Sequence, residues 1–120
     1  MRLADVIISP EKEGKEKHVP VIEAPAKVKK GQRFEVKVTV GKQVAHPNTI
    51  EHHIAWVKLY GKEDGARPVF EIAAASFGPT LGEPIVTFTC MLPKSTTLIA
   101  TELCNVHGIW DNSAKVEVEE

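Results

Sequence analysis

One cysteine and four histidines offer the clearest chemistry in this chain. Cys104 and His107 form a Cys-x-x-His pair, and three more histidines lie far upstream, at His18, His46 and His52. A thiolate suits iron, copper or zinc, and imidazole suits all three metals. The pair alone is a weak signal, but the upstream histidines stand in segments rich in proline and asparagine that are typical of loops. We therefore predict a transition-metal site.

The number of candidate ligands favours iron over zinc. Structural zinc is normally closed by four ligands in tetrahedral geometry. Here the candidates exceed four, and they match iron with one position left free. Four neutral imidazoles and one thiolate would leave a ferrous ion with a single positive charge, which favours a small anion at that position. An electron-rich ferrous centre of this kind suits one-electron reduction of a dioxygen species.

Two alternatives remain open at this point. A blue-copper site also uses cysteine and histidine on a β-sandwich, usually with a methionine after the second histidine as a weak axial ligand. The two methionines of this chain, Met1 and Met91, both precede Cys104. The other alternative is an immunoglobulin-like binding module with unrelated histidines, which leaves their shared loop positions unexplained.

Several neighbouring residues bear on the predicted site. Glu16 and Lys17 directly precede His18, so a carboxylate could fill an empty position on the metal and an ammonium could attract an anionic substrate. The alternative is an ordinary charged loop, since residues 11–17 are acidic, basic or glycine. Gly108, directly after His107, is interpreted as allowing close backbone approach.

Two other residues of ligand type, His53 and Cys90, are predicted to lie outside the site. Successive side chains of a strand point to opposite faces, so His53 is predicted to point away from the site if His52 points towards it. Cys90 shares a predicted strand face with Val86 and Phe88 and is expected to pack in the core.

The elements that must position these residues are predicted to be β-strands. Residues 34–40 alternate cleanly between apolar and polar side chains. The full set of predicted strands, about seven, is 21–22, 34–40, 54–60, 69–75, 85–91, 96–103 and 114–118. Turns are predicted at 61–65 and 77–79, with at most one turn of helix near residues 3–7. This pattern predicts an all-β fold, an immunoglobulin-like antiparallel β-sandwich or barrel whose end loops can converge.

Length and composition limit the remaining possibilities. The 120 residues are expected to form a single iron-binding domain, because 42% hydrophobic content suffices for one core. With 15 basic and 16 acidic residues the net charge is −1, which argues against nucleic acid as a partner. We see no signal peptide and no apolar run approaching the roughly 18 residues of a membrane span. We expect a cytoplasmic protein with both cysteines reduced.

Three segments together resemble the signature segments of superoxide reductase. They are residues 16–20 (EKHVP), 46–54 (HPNTIEHHI) and 104–110 (CNVHGIW). The resemblance is to the one-iron form, neelaredoxin, since the four cysteines of the second iron site in the longer form are missing. It implies an immunoglobulin-like fold, often a homotetramer, and one square-pyramidal iron per chain. The equatorial ligands would be His18, His46, His52 and His107, and the axial ligand Cys104.

The resemblance also implies an activity and the residues behind it. Iron would give one electron to superoxide, producing hydrogen peroxide without dioxygen, as an antioxidant defence. Lys17 would draw superoxide in, and Glu16 would close the site in the oxidised resting state. A rubredoxin-like electron donor would then return the iron to the ferrous form.

Overall fold

The computed structural model describes all 120 residues, and its regular secondary structure is almost entirely β-strand. Two single-turn 3-10 helices, Leu3–Asp5 and Pro10–Lys12, precede the first strand. The strands are β1 (Pro20–Glu23), β2 (Lys27–Lys29), β3 (Phe34–Val40), β4 (Ile54–Glu63), β5 (Phe70–Ser76), β6 (Ile85–Cys90), β7 (Thr96–Cys104) and β8 (Gly108–Glu119). No helix has the length and apolar character needed to cross a membrane.

The strands form two sheets. The smaller sheet has the order β1-β3-β6, and the larger has the order β2-β8-β7-β4-β5. Every neighbouring pair is antiparallel except β2 and β8, which run parallel. The predicted all-β, immunoglobulin-like antiparallel fold is confirmed, with this parallel pair as a local exception.

The core lies where the inward faces of the two sheets meet. In β3, Val36 and Val38 are fully buried while Glu35 and Lys37 are exposed, as the alternation predicts. Val57 and Leu59 of β4 and Leu98 of β7 complete the centre of this cluster from the larger sheet. Cys90 is also buried within the cluster, as predicted, and burial raises the pKa of its thiol.

Three differences between the predicted and the observed strands exceed two residues. Strand β2 was not predicted, because three residues with charged ends acquire strand structure only by pairing with β8. Strand β4 runs on to Glu63, through most of the predicted 61–65 turn. Strand β8 begins at Gly108 instead of 114, since pairing with β7 overrides the weak strand preference of Asp111-Asn112-Ser113.

Strand pairing places the segments with candidate ligands at one end of the sandwich. Cys104 at the end of β7 pairs with Gly108 at the start of β8, which leaves a three-residue hairpin loop containing His107. Ile54 at the start of β4 lies opposite Cys104, so the preceding loop with His46 and His52 reaches the same end.

One acidic residue lies inside the sandwich. Glu102 is fully buried on the interior side of β7, and neither carboxylate oxygen has a hydrogen-bond partner. Burial, with a smaller contribution from the negative charge of Glu13, raises the pKa of Glu102 from 4.5 to about 9. Glu102 is therefore protonated in the folded metal-free protein at neutral pH.

This raised pKa predicts that Glu102 contributes stability to the metal-free protein that is lost as pH increases from about 4.5 to about 9. Across that range the unfolded chain gives up the Glu102 proton and the folded chain keeps it, so rising pH favours unfolding. Glu102→Gln should flatten the slope of the unfolding free energy in urea titrations at several pH values. Glu35→Gln, at an exposed position of β3, is the control. An unchanged slope in Glu102→Gln would contradict the prediction.

Candidate metal centre

Four histidine side chains form a closed ring at this end of the sandwich. Neighbouring ring centroids are 5.0 Å apart for His18 and His46, 4.8 Å for His46 and His52, 5.1 Å for His52 and His107, and 4.9 Å for His107 and His18. The neighbouring rings are steeply inclined to one another, by 65° to 83°. The structure thus brings together all four histidines predicted from the sequence.

A carboxylate oxygen of Glu16 lies against the inward nitrogens of this ring. Its Oε1 is 2.9 Å from Nε2 of His18 and 3.3 Å from Nε2 of His46. The same oxygen is 3.1 Å from Nε2 of His52 and 3.1 Å from Nδ1 of His107. Burial alone would raise the pKa of Glu16, but attraction to the histidines outweighs it and holds the pKa below its ordinary value.

The thiol of Cys104 completes the cluster. Its Sγ lies 3.8 Å from Nδ1 of His107, and the residue is almost fully buried. Burial raises the pKa of Cys104, partly opposed by the backbone N–H groups of His107 and Val106. The His107 N–H donates to Sγ at 3.3 Å. Such bonds stabilise a thiolate, the form of cysteine that binds metals.

These donors fit a single metal ion. Ligand atoms of Glu16, His18, His52, Cys104 and His107 all lie within 4.8 Å of one another. Nitrogen and oxygen atoms bound at right angles to one ion, with bonds of about 2.1 Å, are separated by about 3 Å. The separations between Glu16 and the histidines have this value. Moreover, Glu16 Oε1, His46 Nε2 and His52 Nε2 are buried without hydrogen-bond partners, which a cation would provide.

The two most buried histidines are held in the form that binds metal. Burial lowers the pKa of both His18 and His46, which favours the neutral imidazole. Nδ1 of His46 lies 2.7 Å from the carbonyl oxygen of Pro47. A proton on Nδ1 donated to that carbonyl leaves the lone pair on Nε2, on the side of Glu16.

Packing and hydrogen bonds fix the segment that carries His18. The Glu13 carboxylate accepts the backbone N–H groups of His18 and Val19, at 2.8 and 2.5 Å. Trp110 stacks on the His18 ring, with centroids 4.7 Å apart and planes inclined by 11°. Trp110 therefore contacts a candidate ligand directly.

Gly41 was missed by the sequence analysis although it lies against His46. Its φ angle is +82°, and a Cβ atom there would stand 2.6 Å from the backbone nitrogen of His46. The signal available in the sequence was a glycine directly after a strand of alternating apolar and polar residues. Gly108 was interpreted as allowing close approach, but a Cβ there would meet nothing within 4 Å. Its φ of +85° shows that it is needed for its left-handed conformation.

The lysines near the centre are arranged differently from what the sequence suggested. The Lys17 ammonium donates to the Gly14 carbonyl at 3.1 Å and lines a cavity beside Val19 and Lys42. Lys12 and Lys15 instead line the cleft over His18 and His107. Sequence reasoning singled out Lys17 because it adjoins His18 and missed the other two lysines of the same loop.

His53 stands outside the ring, as predicted. Its Nδ1 contacts the carbonyl oxygen of Thr49 at 3.1 Å, and it makes no contact with Glu16. The four histidines of the ring differ in accessibility. Side-chain exposure is 0% for His46, 6% for His18, 21% for His52 and 46% for His107. One side of the ring is therefore buried in the protein, and the other faces solvent.

Fold and site together define a β-sandwich protein with a metal site of histidines and a cysteine. A family model described as desulfoferrodoxin matches residues 10–113. This chain belongs to the desulfoferrodoxin family. The resemblance to superoxide reductase and neelaredoxin drawn from the three sequence segments is thereby confirmed.

Individual relatives agree with this assignment. A protein from Thermotoga maritima is 47% identical over the full length of both chains. The superoxide reductase of Pyrococcus abyssi is 44% identical, over 96% of this chain and 99% of its own. The solved superoxide reductase (neelaredoxin) of Ignicoccus hospitalis is 40% identical and superimposes with a TM-score of 0.92, covering 99% of this chain and 100% of its own.

The contrast between His52 and His53 gives a direct test of the ring. His52→Ala should lower the metal content of the purified protein at least severalfold, because it removes one of the convergent nitrogens. His53→Ala should retain the wild-type metal content, since its ring lies outside the cluster. Elemental analysis of both variants, expressed and purified side by side, measures this difference. Loss of metal in His53→Ala equal to that in His52→Ala would contradict the assignment.

Proposed function

We propose that this chain is a superoxide reductase that converts superoxide to hydrogen peroxide at a mononuclear iron. The ligands would be His18, His46, His52 and His107 with Cys104. The observation that carries the proposal is the contact of one Glu16 oxygen with the inward nitrogens of all four histidines. The names of the relatives and of the solved structures support the same activity.

The donor set supports iron over zinc or copper. Four imidazoles, a thiolate and a carboxylate exceed the four ligands of structural zinc. A blue-copper site usually takes its axial methionine after the second histidine, and both methionines of this chain precede Cys104. Iron bound here would supply one electron to superoxide by passing from the ferrous to the ferric state. The thiolate would favour that transfer by adding electron density to the metal.

Glu16 would act as a gate to the site. Its Oε1 lies within 3.3 Å of the inward nitrogens of all four histidines, so superoxide and the carboxylate would compete for one place beside them. Because both are anions, binding of superoxide requires the Glu16 side chain to turn away. Return of the carboxylate after reaction would displace peroxide and exclude further small anions.

The lysines of the same loop would favour approach of an anionic substrate. Lys12 and Lys15 line the cleft over His18 and His107, and Lys17 lies next to both Glu16 and His18 in sequence. Nearby cations raise the local concentration of a small anion and accelerate its encounter with the site. In the present conformation Lys17 donates to Gly14, so its ammonium would need to swing towards the centre when Glu16 leaves.

The chain's partners and setting follow from the family resemblance. We propose a rubredoxin-like protein as electron donor, a homotetrameric assembly and a cytoplasmic location. We also propose that the 120 residues act as one iron-binding domain. The exposed edge of His107 supports electron entry near the centre, because an outside donor can approach that ring closely.

Iron content and product stoichiometry test the proposed activity. Purified protein should contain one iron per chain, and each superoxide consumed should yield one hydrogen peroxide with no dioxygen while a reductant is supplied. A dismutase would release dioxygen and form half as much peroxide. Copper or zinc in place of iron, or evolution of dioxygen, would refute the reductase assignment.

Replacement of Lys17 tests electrostatic attraction. Lys17→Ala should slow the second-order reaction with superoxide severalfold at low ionic strength and weaken the dependence of the rate on salt. The matched control is Lys94→Ala, which removes the same charge from an exposed position before β7, at the other end of that strand from Cys104. Pulse radiolysis of both variants across a salt series gives the two rate profiles. Identical profiles would show that Lys17 has no part in attraction.

A further inference from the structure

Asn105 connects two of the segments that carry candidate ligands. It directly follows Cys104 and is exposed to solvent. Its Nδ2 donates to the carbonyl oxygen of Glu51 at 2.9 Å, and its Oδ1 accepts the backbone N–H of His53 at 2.8 Å. Its own backbone N–H donates to the carbonyl of His53 at 3.2 Å. All three bonds thus run to the segment around His52.

The two hydrogen bonds of the Asn105 side-chain amide flank His52 in the chain. One reaches the residue before His52 and the other the residue after it, so the backbone on either side is fixed. Regular pairing of β7 with β4 ends at Cys104 and Ile54. Beyond that point the Asn105 side chain takes the place of a peptide group and extends the hydrogen bonding around the candidate ligand.

A simple turn role does not account for these bonds. Asparagine is common in turns, where its side chain usually bonds to its own backbone nearby. Here the hairpin is closed by other groups, since the His107 N–H donates to the Cys104 Sγ and Gly108 adopts a positive φ. Both polar atoms of the Asn105 amide are instead used across the gap between two loops.

We propose that Asn105 is a positioning residue that sets His52 at the correct distance from Cys104 and His107. His52 is one of the two more exposed members of the ring, so core packing does little to fix it. Without the amide, the 46–53 loop would still fold but could move relative to the hairpin. The inference rests on the metal site of the proposed function and not on the reaction.

The consequence to be measured is metal affinity. Loss of groups that orient metal ligands typically weakens binding about 10- to 100-fold. Asn105→Ala should therefore raise the dissociation constant for Co²⁺ by a factor in that range and shift the thiolate-to-cobalt absorption band. Asn105→Asp keeps the acceptor for the His53 N–H but sets a carboxylate oxygen against the Glu51 carbonyl, so it should also weaken binding.

Ser95→Ala is the matched control. The Ser95 hydroxyl donates to Glu117 and accepts the N–H of Val118, so it also links two segments by one donated and one accepted bond. Ser95 precedes β7, and Cys104 ends it, which places the two sites roughly 25–30 Å apart. Thermal unfolding of the metal-free proteins should show similar small losses of stability in Ser95→Ala and Asn105→Ala.

Titration of the four metal-free proteins with Co²⁺ separates the outcomes. Weaker binding and a shifted band in Asn105→Ala, with wild-type values in Ser95→Ala, support the positioning role. Wild-type affinity and spectrum in both Asn105 variants, or an equal loss in Ser95→Ala, overturn it. If Asn105→Ala does not fold, Asn105→Asp decides by the same criteria. Failure of the wild-type protein to bind the ion would instead count against the proposed metal site.

Discussion

The pairing of β4 with β7 is the constraint on which the candidate centre depends. It sets Ile54 opposite Cys104, and so brings the loop of His46 and His52 against the hairpin of Cys104 and His107. A slip of one residue in this register would turn Cys104 from the interior to the opposite face. An irregularity in the ladder between Ile54 and Trp56 lies at the same end of β4. Bulges of this kind redirect side chains beside functional sites.

The centre lies at one end of the sandwich, apart from the main apolar core. Fourteen buried residues form a continuous hydrophobic cluster to which the ring histidines do not belong. The middle of the sandwich therefore consists of apolar side chains, and the unpaired polar atoms of the candidate centre lie towards its end. Cys104 joins the two regions, because it is both a member of the core cluster and part of the candidate metal centre.

Much of this architecture could be predicted from the sequence, and the exceptions have physical reasons. The alternation of apolar and polar residues in β3 predicted that strand and its buried face. The three segments with candidate ligands predicted the four histidines that form the ring. Strand β2 could not be found, because its structure comes from pairing with β8 at the far end of the chain. The hydrogen bond from Lys17 to Gly14 also depends on loop conformation, which residue types alone do not determine. Gly41 could be noticed as a glycine directly after an alternating strand, but its contact with His46 becomes visible only in the folded structure.

The buried and the open side of the histidine ring differ in how far packing and hydrogen bonds hold them. On the buried side, His18 is stacked by Trp110, and His46 is enclosed and bonded to the Pro47 carbonyl. Dense packing leaves such rings few alternative rotamers, and the hydrogen bonds to Glu13 and Pro47 add to this restraint. On the open side, His52 and His107 have solvent where packing partners would be. Substrate access requires that openness, and hydrogen bonds between loops must then supply the precision that packing cannot. The polar residues around the open side are thus a consequence of leaving it accessible.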